Sequence, residues 1–209
     1  MIPKILEFYT SRSPFLTTKL LHAKREGGRP AFNFTDLRRL SISSFGFKDK
    51  QNIRYLLQNA KLLEELHLTN KRGRILVGLH DILSLSASTL KVFDLKISLC
   101  DISCAGLCEG LETMAGHNML EVLSIEVQVD GDETEDSVTS IIQNVEKVLV
   151  KPGWSALKQV SFIVSIGFRR VSMENSARLS KALQSLPDKY PGPLSKLKSV
   201  TFNFSVRFV

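Results

Sequence analysis

Apolar residues along this chain fall into one six-residue phrase, apolar-x-x-apolar-x-apolar, which occurs at residues 37–42, 63–68, 90–95, 120–125, 157–162 and 197–202. Its fourth and sixth positions are Leu40/Ile42, Leu66/Leu68, Phe93/Leu95, Leu123/Ile125, Val160/Phe162 and Val200/Phe202, all apolar. Its fifth positions are Ser41, His67, Asp94, Ser124, Ser161 and Thr201, all polar. Side chains alternate across a strand, so each phrase predicts a short β-strand with one face turned inward. The alternation runs on through Leu123, Ile125, Val127 and Val129, through Phe162, Val164, Ile166 and Phe168, and through Phe202, Phe204, Val206 and Phe208. Longer strands are expected toward the C-terminus.

Between the phrases the apolar period changes to that of a helix. Ile53, Leu56, Leu57, Ala60 and Leu63 form one helical stripe, and Val138, Ile141, Ile142, Val145, Val148 and Leu149 form another. Ala177, Leu179, Leu183 and Leu186 predict a third helix that ends near Pro187. Leu107, Leu111 and Met114 mark a fourth, and Ile82, Leu83 and Leu85 suggest a short one. A helix over 15–24 follows Ser13-Pro14. Strand, crossover helix, strand implies parallel pairing. One such unit cannot bury its own inward face, so neighbouring units must stack. The expected fold class is α/β, a solenoid of about six to seven irregular units with strands on the concave side and helices on the convex side. Residues 1–209 read as a single domain, with 1–30 a partial unit and 31–209 holding six.

Stacking would align the outward positions in rows. The first is Arg39, Glu65, Val92, Val122, Gln159 and Ser199. The second is Ser41, His67, Asp94, Ser124, Ser161 and Thr201, and the third Ser43, Thr69, Lys96, Glu126, Ile163 and Asn203. The polar members other than Ser199 are the candidate partner contacts: Arg39, Ser41, Ser43, Glu65, His67, Thr69, Asp94, Lys96, Ser124, Glu126, Gln159, Ser161, Thr201 and Asn203.

The net charge of +7 hides segregation along the chain. Residues 1–74 carry +9, residues 75–150 carry −10 and residues 151–209 carry +8. A nucleic-acid binder usually presents one continuous basic field, which an acidic middle interrupts. Binding to nucleic acid through the basic ends stays as an alternative; protein partners fit better. No apolar run reaches the ~18–20 residues needed to span a bilayer, and the N-terminal residues do not read as a secretory signal. Cys100, Cys104 and Cys108 are odd in number and crowded, a poor disulfide framework that suits the cytoplasm or nucleus.

Catalytic and cofactor signatures are not assembled. His22, His67, His80 and His117 are scattered, with His67 best placed for a partner contact. The three cysteines at i, i+4, i+8 could align on a helix face, but spacing suggests no fourth zinc ligand; small buried residues at a turn entering a helix are the preferred reading. The acidic run 130–136 fails the calcium-hand pattern, with Glu135 where glycine is needed and Ile141 where glutamate is needed. No phosphate loop, dinucleotide fingerprint or nucleophile elbow occurs. The expectation is a non-enzyme without cofactor or metal. Trp154 is read as a wedge beneath the strand at 159, with an exposed partner anchor as the alternative.

The first three phrase spacings, 26, 27 and 30 residues, sit in or near the ~20–29-residue range of leucine-rich repeats. Over residues 30–209 the pattern resembles the repeats of fungal, basidiomycete-like F-box-type proteins. Ile102-Ser103-Cys104-Ala105-Gly106-Leu107 is similar to the I-T-D-x-G-L step of their cysteine-containing subfamily. Departures are plain: the other phrases lack this step, Cys100 is shifted relative to the strand, and the usual repeat asparagine is mostly missing. The resemblance implies a substrate-recognition part of a ubiquitin ligase receptor, with the Skp adaptor as partner only where an F-box lies upstream. Ile2-Pro3-Lys4-Ile5-Leu6 echoes an F-box opening, but 3–8 as a further strand with Leu6 and Phe8 inward is preferred. A degenerate or truncated repeat fragment without a retained partner is the remaining alternative.

Overall fold

The computed structural model describes residues 4–9, 33–43, 50–70, 79–98, 105–129, 135–167, 173–185 and 199–208. Among the described residues, seven strands form one sheet: β1 (Ile5–Tyr9), β2 (Arg39–Ser43), β3 (Glu65–Asn70), β4 (Val92–Ser98), β5 (Val122–Val129), β6 (Gln159–Ile166) and β7 (Thr201–Phe208). They lie in chain order, and every adjacent pair is parallel. Among the described residues, five helices intervene: α1 (Lys50–Asn59), α2 (Leu79–Ser84), α3 (Ala105–Met114), α4 (Glu135–Leu149) and α5 (Met173–Gln184). The chain is thus an α/β protein with a parallel sheet that grows by one strand at a time. Among the described residues, no helix is long and apolar enough to cross a membrane.

The inward rows hold the core. Leu40, Leu66, Phe93, Leu123 and Val160 stand in register, and so do Ile42, Leu68, Leu95, Ile125 and Phe162; all are buried. From β4 onward the longer strands add a third inward row, Ile97, Val127 and Val164, and β5 and β6 add Val129 and Ile166. Burying each such side chain contributes about 1.5–3 kcal/mol. Helical side chains close the layer: Ile53, Leu56 and Leu57 of α1, Ile82 and Leu83 of α2, Leu107 and Leu111 of α3, and Val138, Ile141 and Val145 of α4. Phe204 stacks on Phe162 at 6.3 Å between ring centroids, extending the core onto β7.

Strands β2 to β6 are each entered through a turn that the phrase does not include. Phe34, Ala60, Ala87 and Trp154, three residues before their phrases, are all buried. The carbonyls of Phe34, Ala60 and Trp154 accept the amides of Leu37, Leu63 and Leu157. Before β5 a side chain takes this part: Asn118 Oδ1 accepts Leu120 N–H at 3.2 Å. Its Nδ2 donates to Met114 O at 2.9 Å and to Gly153 O at 2.8 Å, tying the end of α3 to the α4–β6 loop. There Gly116 N–H also donates to Gly153 O.

Several expectations change on folding. Residues 5–9 are a strand, with Leu6 opposite Leu40 and Phe8 opposite Ile42, so the strand reading of the N-terminal segment holds. The first helix stops at Asn59, which leaves Ala60 and Leu63 in the turn that feeds β3. Leu85 lies beyond the end of α2 and is exposed. Trp154 is buried to 8% exposure and donates Nε1–H to Val148 O at 3.2 Å, so it is a wedge and not an exposed anchor. Residues 15–24, His22, Cys100, Cys104, 130–134, Phe168, Leu186 and Pro187 lie outside the described residues.

Two outcomes follow for stability. Phe162→Ala is expected to cost about 3–5 kcal/mol, while Ser124→Ala on the outward face stays within about 0.5 kcal/mol; urea midpoints compare them. Gly153 has φ +117°, and a Cβ there would stand 2.5 Å from Gly116 N. Gly153→Ala should therefore cost about 1–3 kcal/mol, more than Gly116→Ala, where φ is +87° but the space is open.

Candidate binding surface

The outward positions of the strands form in-register rows of mostly half-buried side chains. The first row is Ile5, Arg39, Glu65, Val92, Val122, Gln159 and Thr201. The second is Glu7, Ser41, His67, Asp94, Ser124, Ser161 and Asn203. The third contains Ser43, Thr69, Lys96, Glu126, Ile163 and Ser205, and a fourth contains Ser98, Gln128, Ser165 and Arg207. All fourteen candidate contacts thus share one face. Two stand in the wrong row, however: Thr201 is opposite Gln159 and not Ser161, and Asn203 is opposite Ser161 and not Ile163. A two-residue slip keeps every side chain on its face, so alternation alone does not detect it. The register seen here places Phe202, Phe204 and Val206 against Val160, Phe162 and Val164.

Stacking like positions in register makes charge a lateral matter. At the rim where the strands start, Arg38, Glu64, Lys91, Glu121 and Lys158 alternate in sign. Arg38 Nη1 reaches Glu64 Oε1 at 2.7 Å, Lys91 Nζ reaches the same oxygen at 3.3 Å, and Lys158 Nζ reaches Glu121 Oε2 at 2.6 Å. The Lys158 hydrogen bond holds the Glu121 carboxyl below its ordinary range. In the first outward row Arg39 donates through Nε and Nη2 to the two oxygens of Glu65, at 2.6 and 2.9 Å. That fork lowers the Glu65 pKa. His67 stands between Asp94 and Glu65, with Nδ1 3.3 Å from Asp94 Oδ2 and Nε2 3.6 Å from Glu65 Oε2.

Glu126 is the centre of a second network. It is only 7% exposed. Its Oε1 accepts from Lys96 Nζ at 2.7 Å and from Ser165 Oγ at 2.7 Å, and its Oε2 accepts from Arg207 Nη2 at 2.6 Å. Arg207 Nε also donates to Ser165 Oγ at 2.9 Å. Four strands are joined by this one carboxylate. Burial works to raise its pKa, but hydrogen bonds from Arg207, Lys96 and Ser165 outweigh it and hold the group lowered. Glu126 stands in the outward row as expected, but it is a buried tie between strands. Arg207 lay outside the candidate set, although the strand alternation that continues past Phe202 puts it on the outward face.

What the charges leave is an uncharged patch on β5–β7. Val122, Gln159 and Thr201 lie in its first row, Ser124, Ser161 and Asn203 in its second, and Ile163 and Ser205 in its third. Gln159 Nε2 donates to Ser161 Oγ at 3.2 Å within it. Among the described residues, no group of three or more His, Cys, Asp or Glu is placed to hold a metal ion. Cys108 is half-buried, and burial raises its thiol pKa, away from the reactive thiolate.

Comparison with family models, with curated proteins and with solved structures finds no match for this chain. The geometry of the outward face is what bears on function.

Glu126→Gln is expected to destabilise the fold by about 1–3 kcal/mol at neutral pH, since it weakens the partners of Lys96 and Arg207 together. A lowered carboxyl pKa contributes stability above the ordinary carboxylate value and loses it as pH falls through the folded value. The gap between the native chain and Glu126→Gln should therefore shrink as pH falls below the ordinary carboxylate range, as read by urea midpoints.

Proposed function

We propose that this chain is a leucine-rich-repeat-type solenoid that binds a protein partner on the outward face of its sheet and catalyses no reaction. The parallel strands in chain order, with a described helix in each connection from β2 to β7, support the solenoid reading. In that architecture the strands line the concave side. The observation that carries the functional reading is the uncharged patch over β5–β7, bounded by the His67 and Glu126 networks. The bordering charges are already paired within the chain, so recognition falls to shape, hydrogen bonds and small apolar contacts from Val122 and Ile163. The resemblance to F-box-type proteins extends the reading to a partner presented for ubiquitination, a step that rests on family analogy.

Nucleic acid is the weaker reading. Arg38, Arg39, Lys91, Lys96, Lys158 and Arg207 each face a carboxylate of this chain. A binder that neutralises several phosphates loses ~10³–10⁵ in affinity between about 50 and about 200 mM salt. A partner seated on the uncharged patch should show little salt dependence.

A photo-crosslinking residue at Ser124 or Ser161 should capture a defined protein, whereas the same residue at Lys147 on the exposed side of α4 should not. Ser124→Arg should abolish the capture while leaving the urea midpoint near that of the native chain. Equal capture from both faces, or capture unaffected by Ser124→Arg, overturns this assignment of the surface.

A further inference from the structure

His67 is held between two carboxylates, an arrangement that favours the imidazolium over the neutral ring. Its Nδ1 faces Asp94 Oδ2 at 3.3 Å, and its Nε2 faces Glu65 Oε2 at 3.6 Å. Neutral histidine has one N–H, so one ring nitrogen must then turn a lone pair toward a carboxylate oxygen. Protonated histidine presents an N–H to each carboxylate, a hydrogen bond to Asp94 and a longer ion pair to Glu65. The second carboxylate is itself clamped, because Glu65 Oε2 also accepts Arg39 Nε at 2.6 Å. The four side chains come from three neighbouring strands, in register.

We infer that Arg39, Glu65, His67 and Asp94 form a proton-gated clasp across β2, β3 and β4, closed when His67 is protonated and loosened when it is neutral. With His67 charged, the signs run plus, minus, plus, minus and the cluster is neutral. With His67 uncharged, the cluster carries one net negative charge.

The surroundings favour the charged form. On β3 the ring meets Glu65, and on β4 it meets Asp94. Lys96, also on β4, is turned to Glu126 at 2.7 Å. On β2 the charged group of this face is Arg39, committed to Glu65, with Ser41 opposite His67. Glu7 on β1 lies one strand further along the same row. The Asp94 hydrogen bond raises the His67 pKa above its ordinary value; burial opposes this, and Glu65 adds to the rise. A raised folded value means that the stability from the clasp is fully present below the unfolded value of 6.5 and is lost as pH rises through the folded value. The β2–β4 side of the outward face therefore becomes more negative and less tightly tied over the same range. This switch belongs to the chain alone and holds whatever partner the face receives.

The test is an NMR titration of the His67 ring protons in the full chain, followed in Asp94→Asn, with urea midpoints of the native chain and His67→Gln across about pH 5.5 to 8.5. His67 should titrate above about 6.5, Asp94→Asn should bring it down, and the native chain should lose more stability with rising pH than His67→Gln does. A His67 that titrates at or below about 6.5 in the native chain overturns the inference. So does a value that Asp94→Asn leaves unmoved, or parallel stability profiles for the two chains. Where His67→Gln or Asp94→Asn fails to fold, the titration of the native chain decides.

Discussion

Lateral registration of parallel strands is the constraint on which everything else here depends. A single strand such as Leu40-Ser41-Ile42 has two inward side chains and no means of hiding them. They become buried because Leu66 and Leu68 stand beside them in register and α1 covers both. The backbone enforces the same alignment: the carbonyls of Arg38, Glu64, Lys91 and Glu121 each accept two amides from the next strand. Any slip of one residue would turn the apolar row to the outward face, at a cost of several buried side chains at once.

Registration has an electrostatic consequence. Equivalent positions of successive units become nearest neighbours, so a charge used at one position must reverse or vanish at the next. Arg38, Glu64, Lys91, Glu121 and Lys158 obey that rule along the rim, and Arg39 with Glu65 obeys it on the outward face. The regional blocks of +9, −10 and +8 look like a polarised molecule when summed along the chain. Across the strands much of that charge meets its opposite. What distinguishes the outward face is the patch on β5–β7 where such pairs are absent among the described residues, and the two places, at His67 and Glu126, where a pair has grown into a network.

Much of this was legible in the residues. The uniform apolar and polar positions of the phrase gave the strands, their faces and the parallel order, because burial on one side of a pleated strand imposes a period of two. Trp154 was read as a wedge and Ala60 as part of a helical stripe, but Phe34 and Ala87, also three residues before their phrases and buried, were missed because they lie outside the strand and obey no alternation. The row of Thr201 and Asn203 was not legible. The inward run Phe202, Phe204 and Val206 repeats every two residues, so offsets of two fit its pattern equally well.

By itself the sequence determined which face each side chain takes and that the strands must be parallel, since alternation and helix-length crossovers leave no other way to bury the apolar rows. Tertiary structure decided which residues meet. Glu126 and Arg207 are 81 positions apart and on strands that are not adjacent, yet they join at 2.6 Å. Only the stacked sheet, by fixing the register of β4 through β7, could bring Lys96, Glu126, Ser165 and Arg207 into one network and turn a row of candidate contacts into a tie that holds the surface together.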